Sequence, residues 1–227
     1  MRNTQLFLLL TLLAVAIVAV ALSKNGYWLF LLWLGFDFLV IAVGYLTLGP
    51  IIFGKDATGR TPLWAKIFFL PYSIYSLAIW HGVRVLSRES AIDRITDDIF
   101  VGRRLLSFEL NQRFDVIVDL TAEFEEPSGI RAHSGYLAFP MLDAAAPSPA
   151  ALTACIEKLP PGVIFIHCAQ GHGRTGLFAL AVLLRRKIVP SVEEGLALLR
   201  AARPGISLNS VQIKCIDAFA SSDFLRA

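Results

Sequence analysis

Between residues 5 and 53 this 227-residue chain is nearly without charge, carrying only Lys24 and Asp37 of the Asp, Glu, Lys and Arg set. A stretch so poor in charge cannot be a water-facing surface, and with 56% hydrophobic against 17% charged residues overall the composition points to lipid contact. Cysteine is scarce as well. The three present, Cys155, Cys168 and Cys215, are odd in number and widely spaced, which excludes a disulfide framework and suits a reducing compartment. A net charge of only +3 is too small for a nucleic-acid partner, but fits a surface facing anionic lipid or phosphorylated substrates. There is no internal repeat and no long low-complexity segment.

The missing charge leaves two apolar runs. Residues 6 to 22, LFLLLTLLAVAIVAVAL, are about the minimum length for a spanning helix. Arg2 ahead of the run and Ala19-Val20-Ala21 within it also suit a secretory signal, but the run is long for one and a second follows at once. That second run is residues 27 to 48, joined through Ser23-Lys24-Asn25-Gly26, a turn-forming link for a helical hairpin. Tyr27, Trp28 and Tyr45 lie near its ends, where interfacial rings are favoured. Asp37 sits mid-span, read as a polar contact between helices rather than part of a transport path, since two helices with one acid make a poor transporter.

Residues 63 to 86 are different. Pro71 interrupts them, and Lys66, Ser73, Ser76, His81 and Arg84 fall along one side at helical spacing. This predicts a helix lying in the interface, with a third span as the alternative. Arg2, Lys55, Arg60 and the arginines from Arg84 to Arg104 fall on one side of the membrane if two helices span, placing that side in the cytoplasm. The organisation read is residues 1–53 as two transmembrane helices, 54–90 as a basic loop with an amphipathic helix, and 91–227 as a catalytic domain.

In that last region DIFVGR, VIVDLT, YLAFP and VIFIH read as buried strands. Ser148-Pro149 and the Ser191/Glu194 capping box mark helix starts between and after them. Strands alternating with helices indicate an α/β sandwich around a mainly parallel sheet.

The chemistry concentrates in residues 163 to 176, VIFIHCAQGHGRTG. Cys168 follows a strand, and a helix starts near Thr175. The glycines at 171, 173 and 176 are expected to take dihedrals closed to other residues, so that successive amides of Ala169, Gln170, Gly171, His172 and Gly173 converge on one point. The helix N-terminus adds positive potential, and Arg174 offers a planar fork for two phosphate oxygens. A cysteine in that field is predicted to be a thiolate nucleophile. Those parts describe phosphomonoester hydrolysis through a phosphocysteine, with Asp143, on a loop just after a strand, as the acid for the leaving group and later the base for water. The scheme calls for no metal and no cofactor. A zinc site from His167, Cys168 and His172 would want a fourth ligand, and Cys155 and Cys215 lie in apolar helical stretches. Plainer readings remain for single residues: Cys168 as a buried thiol, Asp143 as a loop cap, and the whole as an inactive phosphate-binding adaptor.

His167-Cys168 through Arg174-Thr175 resembles the HCxxGxxR(S/T) signature of the cysteine-based protein tyrosine phosphatase superfamily. ITDDIFVGRR, FDVIVDLTAE, FPMLD and ARPGISLNSVQ are similar to elements of its dual-specificity branch, and the resemblance covers about residues 92 to 220. It implies that His167 orders the loop and favours the thiolate, and that Thr175 helps the intermediate break down through its hydroxyl. Asn209 and Gln212 match a weaker element of the family; they read equally as a helix cap with a polar face. Relatives that bind highly charged inositol phosphates carry lysines inside the loop where this chain has Ala169, Gln170 and His172, so a substrate with a single phosphate is expected. Two substrate classes follow: a lipid phosphate, favoured by the membrane region, or a membrane-associated phosphoprotein, favoured by the resemblance alone.

Overall fold

A computed structural model describes residues 3–224, which leaves Arg2 outside the described residues. The first apolar run forms α1 (Thr4–Lys24), capped by Asn3, whose side chain accepts from the Leu6 N–H. The chain reverses at Asn25 and Gly26, both at positive φ, and continues through a short 3-10 turn into α2 (Leu31–Leu46). Among the described residues two helical stretches, Thr4–Lys24 and Gly26–Leu46, are long and apolar enough to cross a membrane.

Residues 63–86 form two helices, α3 (Leu63–Phe68) and α4 (Leu70–Leu86). The break falls at Phe69 and puts Pro71 in the first turn of α4, where its missing N–H costs nothing. Asp37 caps that start by accepting the Tyr72 N–H at 3.1 Å, and Trp33 Nε1 donates to the Phe68 carbonyl. The polar stripe is shared between solvent and the following domain, with Lys66 and His81 exposed. Lys66 pairs with Glu125, Arg84 with Glu109, and Ser76 lines a cleft in the following domain, whereas Leu63, Ile67, Ile74 and Leu86 point outward. Periodicity separates two faces of a helix but does not say what each meets.

The domain that follows is a five-stranded sheet ordered β1-β2-β5-β3-β4. Its strands are β1 (Ile92–Arg94), β2 (Ile99–Arg103), β3 (Val116–Thr121), β4 (Tyr136–Met141) and β5 (Ile164–Cys168), all parallel except for β1 at the edge. A short α5 (Ser128–Arg131) precedes β4. Around the sheet pack α6 (Pro149–Ile156), α7 (Gly173–Arg185), α8 (Val192–Ala202) and α9 (Ser210–Phe224). The mixed α/β fold with a mainly parallel sheet matches the sequence reading. Ser148 caps α6 as expected; at α8 Ser191 Oγ accepts from the Glu194 N–H, the first half of the expected box. Every residue from Thr175 to Leu183 is buried, because α7 lies between the sheet and helices α6, α8 and α9.

A second cluster, Ile41, Ile52, Phe53, Ala65, Phe69, Ala122 and Leu142, joins the hairpin and the α3–α4 segment to the domain. Burying its five large side chains, each contributing about 1.5–3 kcal/mol when complete, seats the apolar N-terminal region directly on the domain.

Candidate active site

Cys168 ends the central strand β5, between β2 and β3, at the parallel edge where the next helix begins. Its Sγ accepts the Gly171 N–H at 3.2 Å. The loop that follows keeps its amides turned inward because its carbonyls are held from outside. The Ala169 carbonyl accepts from Trp80 Nε1 (3.0 Å) and from the Arg104 N–H (3.2 Å). Arg203 takes the next two: Nη2 meets the Gln170 carbonyl at 2.8 Å and Nε the Gly171 carbonyl at 2.9 Å. Arg203 is only 1% exposed and is anchored by Asp93 at 2.6 Å and Glu89 at 3.2 Å. A backbone whose carbonyls all point away from one centre presents its N–H groups to it, which is how an anion cradle is built.

Only one of the three glycines has the conformation expected of all. Gly171 stands at φ +78, and a Cβ there would run into the Gly102 backbone. Gly173 and Gly176 lie inside α7, which starts two residues earlier than the sequence suggests; at Gly176 the missing side chain makes room for Ile206.

Arg174 is 1% exposed. Its Nη1/Nη2 fork, expected for phosphate, is occupied by Glu123 in a bidentate pair of 2.8 and 2.7 Å. Nη2 also lies 3.3 Å from Asp143, and Nε is buried with no partner among the described residues. Nη2 is thus shared between two carboxylates, and Nε is the guanidinium N–H left without a partner among the described residues. Burial works against the charge, but Glu123 and Asp143 outweigh it and hold Arg174 protonated. Glu123 is one of three glutamates in AEFEE, and nothing in the sequence distinguishes it from its neighbours.

These groups line one cleft of about 580 Å³: Cys168, Ala169, Gln170, His172, Gly173, Arg174 and Asp143, with Glu123, Asn209 and Gln212. Gly171 faces the β2 backbone instead, and His167 and Thr175 lie behind the loop. Thr175 Oγ1 is buried without a partner among the described residues. His172 bonds Glu89 at 2.7 Å, which ties the loop's far side to the chain leading into β1. Asn209 Oδ1 caps α9 by accepting the Val211 and Gln212 N–H groups, and Nδ2 donates to the Ala144 carbonyl beside Asp143. The opposite wall comes from α4, through Tyr72, Tyr75, Ser76, Ile79 and Trp80.

Beneath the loop lies a buried charged group the sequence does not reveal. Lys55, counted by sequence among the charges facing the membrane surface, has a fully buried side chain. Its Nζ donates to Asp119 Oδ2 (2.6 Å), Thr121 Oγ1 (3.2 Å), and the carbonyls of Thr121 (2.7 Å) and Phe124 (2.6 Å). Burial opposes the Asp119 charge, but Lys55 and then His167 outweigh it and keep the carboxyl far below its usual range. Asp119, Glu126 and His167 bring one ligand-type atom each within 4.8 Å of one another, a spacing a metal could use; the positive charges beside them are the Lys55 ammonium on Asp119 and the Arg104 guanidinium on Glu126.

Burial pushes the His167 imidazole down from 6.5 to about 4 against the pull of Asp119, so it is neutral at physiological pH. The unfolded chain then binds a proton that the folded chain refuses, so stability is full above 6.5 and is lost as pH falls through about 4. Urea unfolding of the wild type and of His167→Gln across that window should diverge, with the variant less sensitive to pH. A constant difference between the two would show that His167 is not held neutral.

No protein-family model and no curated protein sequence matches the chain. Solved structures with the same fold include Tk-PTP in its active form, at 24% identity over 58% of this chain and 97% of that one, with a TM-score of 0.52. PTPMT1 in complex with PI(5)P is similar at 17% identity over 60% and 99%, TM-score 0.53. Human DUSP28 is similar at 16% identity over 60% and 99%, TM-score 0.52. Each is matched over nearly its whole length, by a share of this chain about equal to residues 92–224. Sheet order and flanking helices together with these likenesses show that the domain has the fold shared by Tk-PTP, PTPMT1 and DUSP28.

Proposed function

We propose that the protein is a membrane-anchored phosphomonoester phosphatase that works through a phosphocysteine and acts on a lipid phosphate at the cytoplasmic bilayer surface. The Cys168 thiolate attacks phosphorus, forming the P–S bond as the P–O bond to the leaving group breaks. Asp143 gives its proton to the departing oxygen. Water then attacks phosphorus, Asp143 takes a proton from it, the P–S bond breaks and inorganic phosphate leaves. The loop amides and the Arg174 guanidinium hold the equatorial oxygens throughout, a stabilisation typically worth about 3–4 kcal/mol per well-placed donor.

The observation that carries the lipid reading is the α4 wall of the cleft. Tyr72 and Tyr75, which face the cleft, stack edge-on against Phe38 of α2, so one helix borders both the apolar hairpin and the nucleophile. A phosphate whose alcohol is anchored in a bilayer would meet Cys168 beside the ends of the spanning helices, at a high effective concentration. PTPMT1, with its bound PI(5)P, gives the reading support from a domain of the same fold. Orientation toward the cytoplasm follows from the thiolate's need for reducing conditions.

The test is a comparison of kcat/KM, with the full-length protein, for lipid phosphates in mixed micelles and for phosphopeptides. The lipid is expected to be preferred. A hundredfold preference for phosphopeptides, about 2.7 kcal/mol of transition-state discrimination, would make the protein a membrane-anchored dual-specificity protein phosphatase instead.

A further inference from the structure

The side chain of Asp143 is 77% exposed, and its ion-pair partner among the described residues is Arg174. Its place in the cleft that Cys168 lines therefore depends on the backbone of residues 143–145. That backbone is held by its carbonyls, one after another. Tyr45 Oη, near the end of α2, donates to the Asp143 carbonyl at 2.8 Å. The Ala144 carbonyl accepts from Asn209 Nδ2 at 2.7 Å and from Asn3 Nδ2 at 3.4 Å. The Ala145 carbonyl accepts from Gln212 Nε2 at 3.3 Å. Asn3 and Tyr45 are themselves joined, the Asn3 N–H donating to the Tyr45 carbonyl at 3.2 Å, so the start of α1 and the end of α2 grip the loop as a unit.

Ala144 stands at φ +53, a left-handed conformation that costs a non-glycine residue about 1–2 kcal/mol and persists only where surrounding contacts enforce it. The clamp residues are the contacts present. Two of the four, Asn3 and Tyr45, come from the apolar hairpin.

We propose that Tyr45 is a positioning residue for the general acid: by holding the Asp143 carbonyl, the membrane hairpin sets the direction of the Asp143 side chain and couples protonation of the leaving group to its own seating on the domain. This rests on the phosphatase reading above, with Asp143 as the acid. A phenolic hydroxyl bonded to the Asp143 carbonyl fixes the peptide plane adjoining the Asp143 Cα, and small misplacements of a reacting group are costly. The ring of Tyr45 packs with the cluster between hairpin and domain, so Tyr45→Phe keeps that packing and removes only the hydroxyl.

The experiment uses the full chain in mixed micelles and two substrates: an aryl phosphate with an acidic leaving group, which departs without help, and an alkyl phosphate, which needs a proton. Asp143→Asn is expected to lose about 10²-fold or more in kcat on the alkyl ester and far less on the aryl ester. Tyr45→Phe is expected to show the same split on a smaller scale, about tenfold in kcat on the alkyl ester with KM kept. In the double variant Tyr45→Phe should add nothing on the alkyl ester, because no acid is left to aim. A Tyr45→Phe loss that is equal on both esters, absent on both, or fully additive to Asp143→Asn would overturn the clamp. If Asp143→Asn itself shows no split, the acid assignment falls and the clamp with it, a result distinguishable from failure of the clamp alone.

Discussion

Cys168→Ser is expected to lower phosphate monoester hydrolysis by about 10⁴-fold or more, the scale seen when the nucleophile of a covalent mechanism is removed. A serine is nearly the same size, and Cys168 is only 3% exposed within a loop whose carbonyls are fixed by Trp80, Arg104 and Arg203, so the fold and the cradle should survive the change. What is lost is reactivity. A serine hydroxyl needs a neighbouring base, and the partner of Cys168 Sγ here is an N–H donor, the Gly171 amide. Turnover of an aryl phosphate by the full-length protein in the presence of a chelator measures this. Activity undiminished in Cys168→Ser would exclude the phosphocysteine route, and a wild-type protein that binds phosphate without turning it over would make the domain an adaptor.

Lys55→Met should carry the largest cost in stability. The change leaves Asp119 fully buried with its main counter-charge gone, and breaking a buried ion pair from one side typically costs about 3–5 kcal/mol. It also releases the Thr121 and Phe124 carbonyls on either side of Glu123, so the grip on Arg174 should loosen and activity fall with stability. Thermal unfolding in micelles would read a fall in Tm of roughly 10 °C. Adding Asp119→Asn, which removes the stranded charge, should restore much of the loss. The pH dependence has a definite sign: the Asp119 carboxyl is depressed in the folded protein, so its contribution is present at neutral pH and lost only as pH falls far into the acid range. An unchanged Tm in Lys55→Met would mean that the segment after the hairpin does not enter the domain.

Contiguous features were legible in the sequence. The two apolar runs, the four parallel strands, the Ser148 and Ser191 caps and the strand–loop–helix unit around Cys168 are each encoded by periodicity or spacing within some twenty residues, the range over which backbone geometry repeats. Asp143 was found the same way, from a small-residue loop after a strand, and it does line the cleft with Cys168. The tertiary structure alone decided which residues hold that unit in working shape. Arg203, Glu123, Lys55, Trp80 and Tyr45 act on the site from 32 to 98 positions away along the chain in the bonds they make. One arginine or glutamate among several carries no local mark, since its role comes from the atoms that face it through space. The same holds for α4, whose two faces were visible as periodicity while their partners were not. A helical stripe records that one side is polar, and only packing determines whether that side meets water, headgroups or the mouth of an active site.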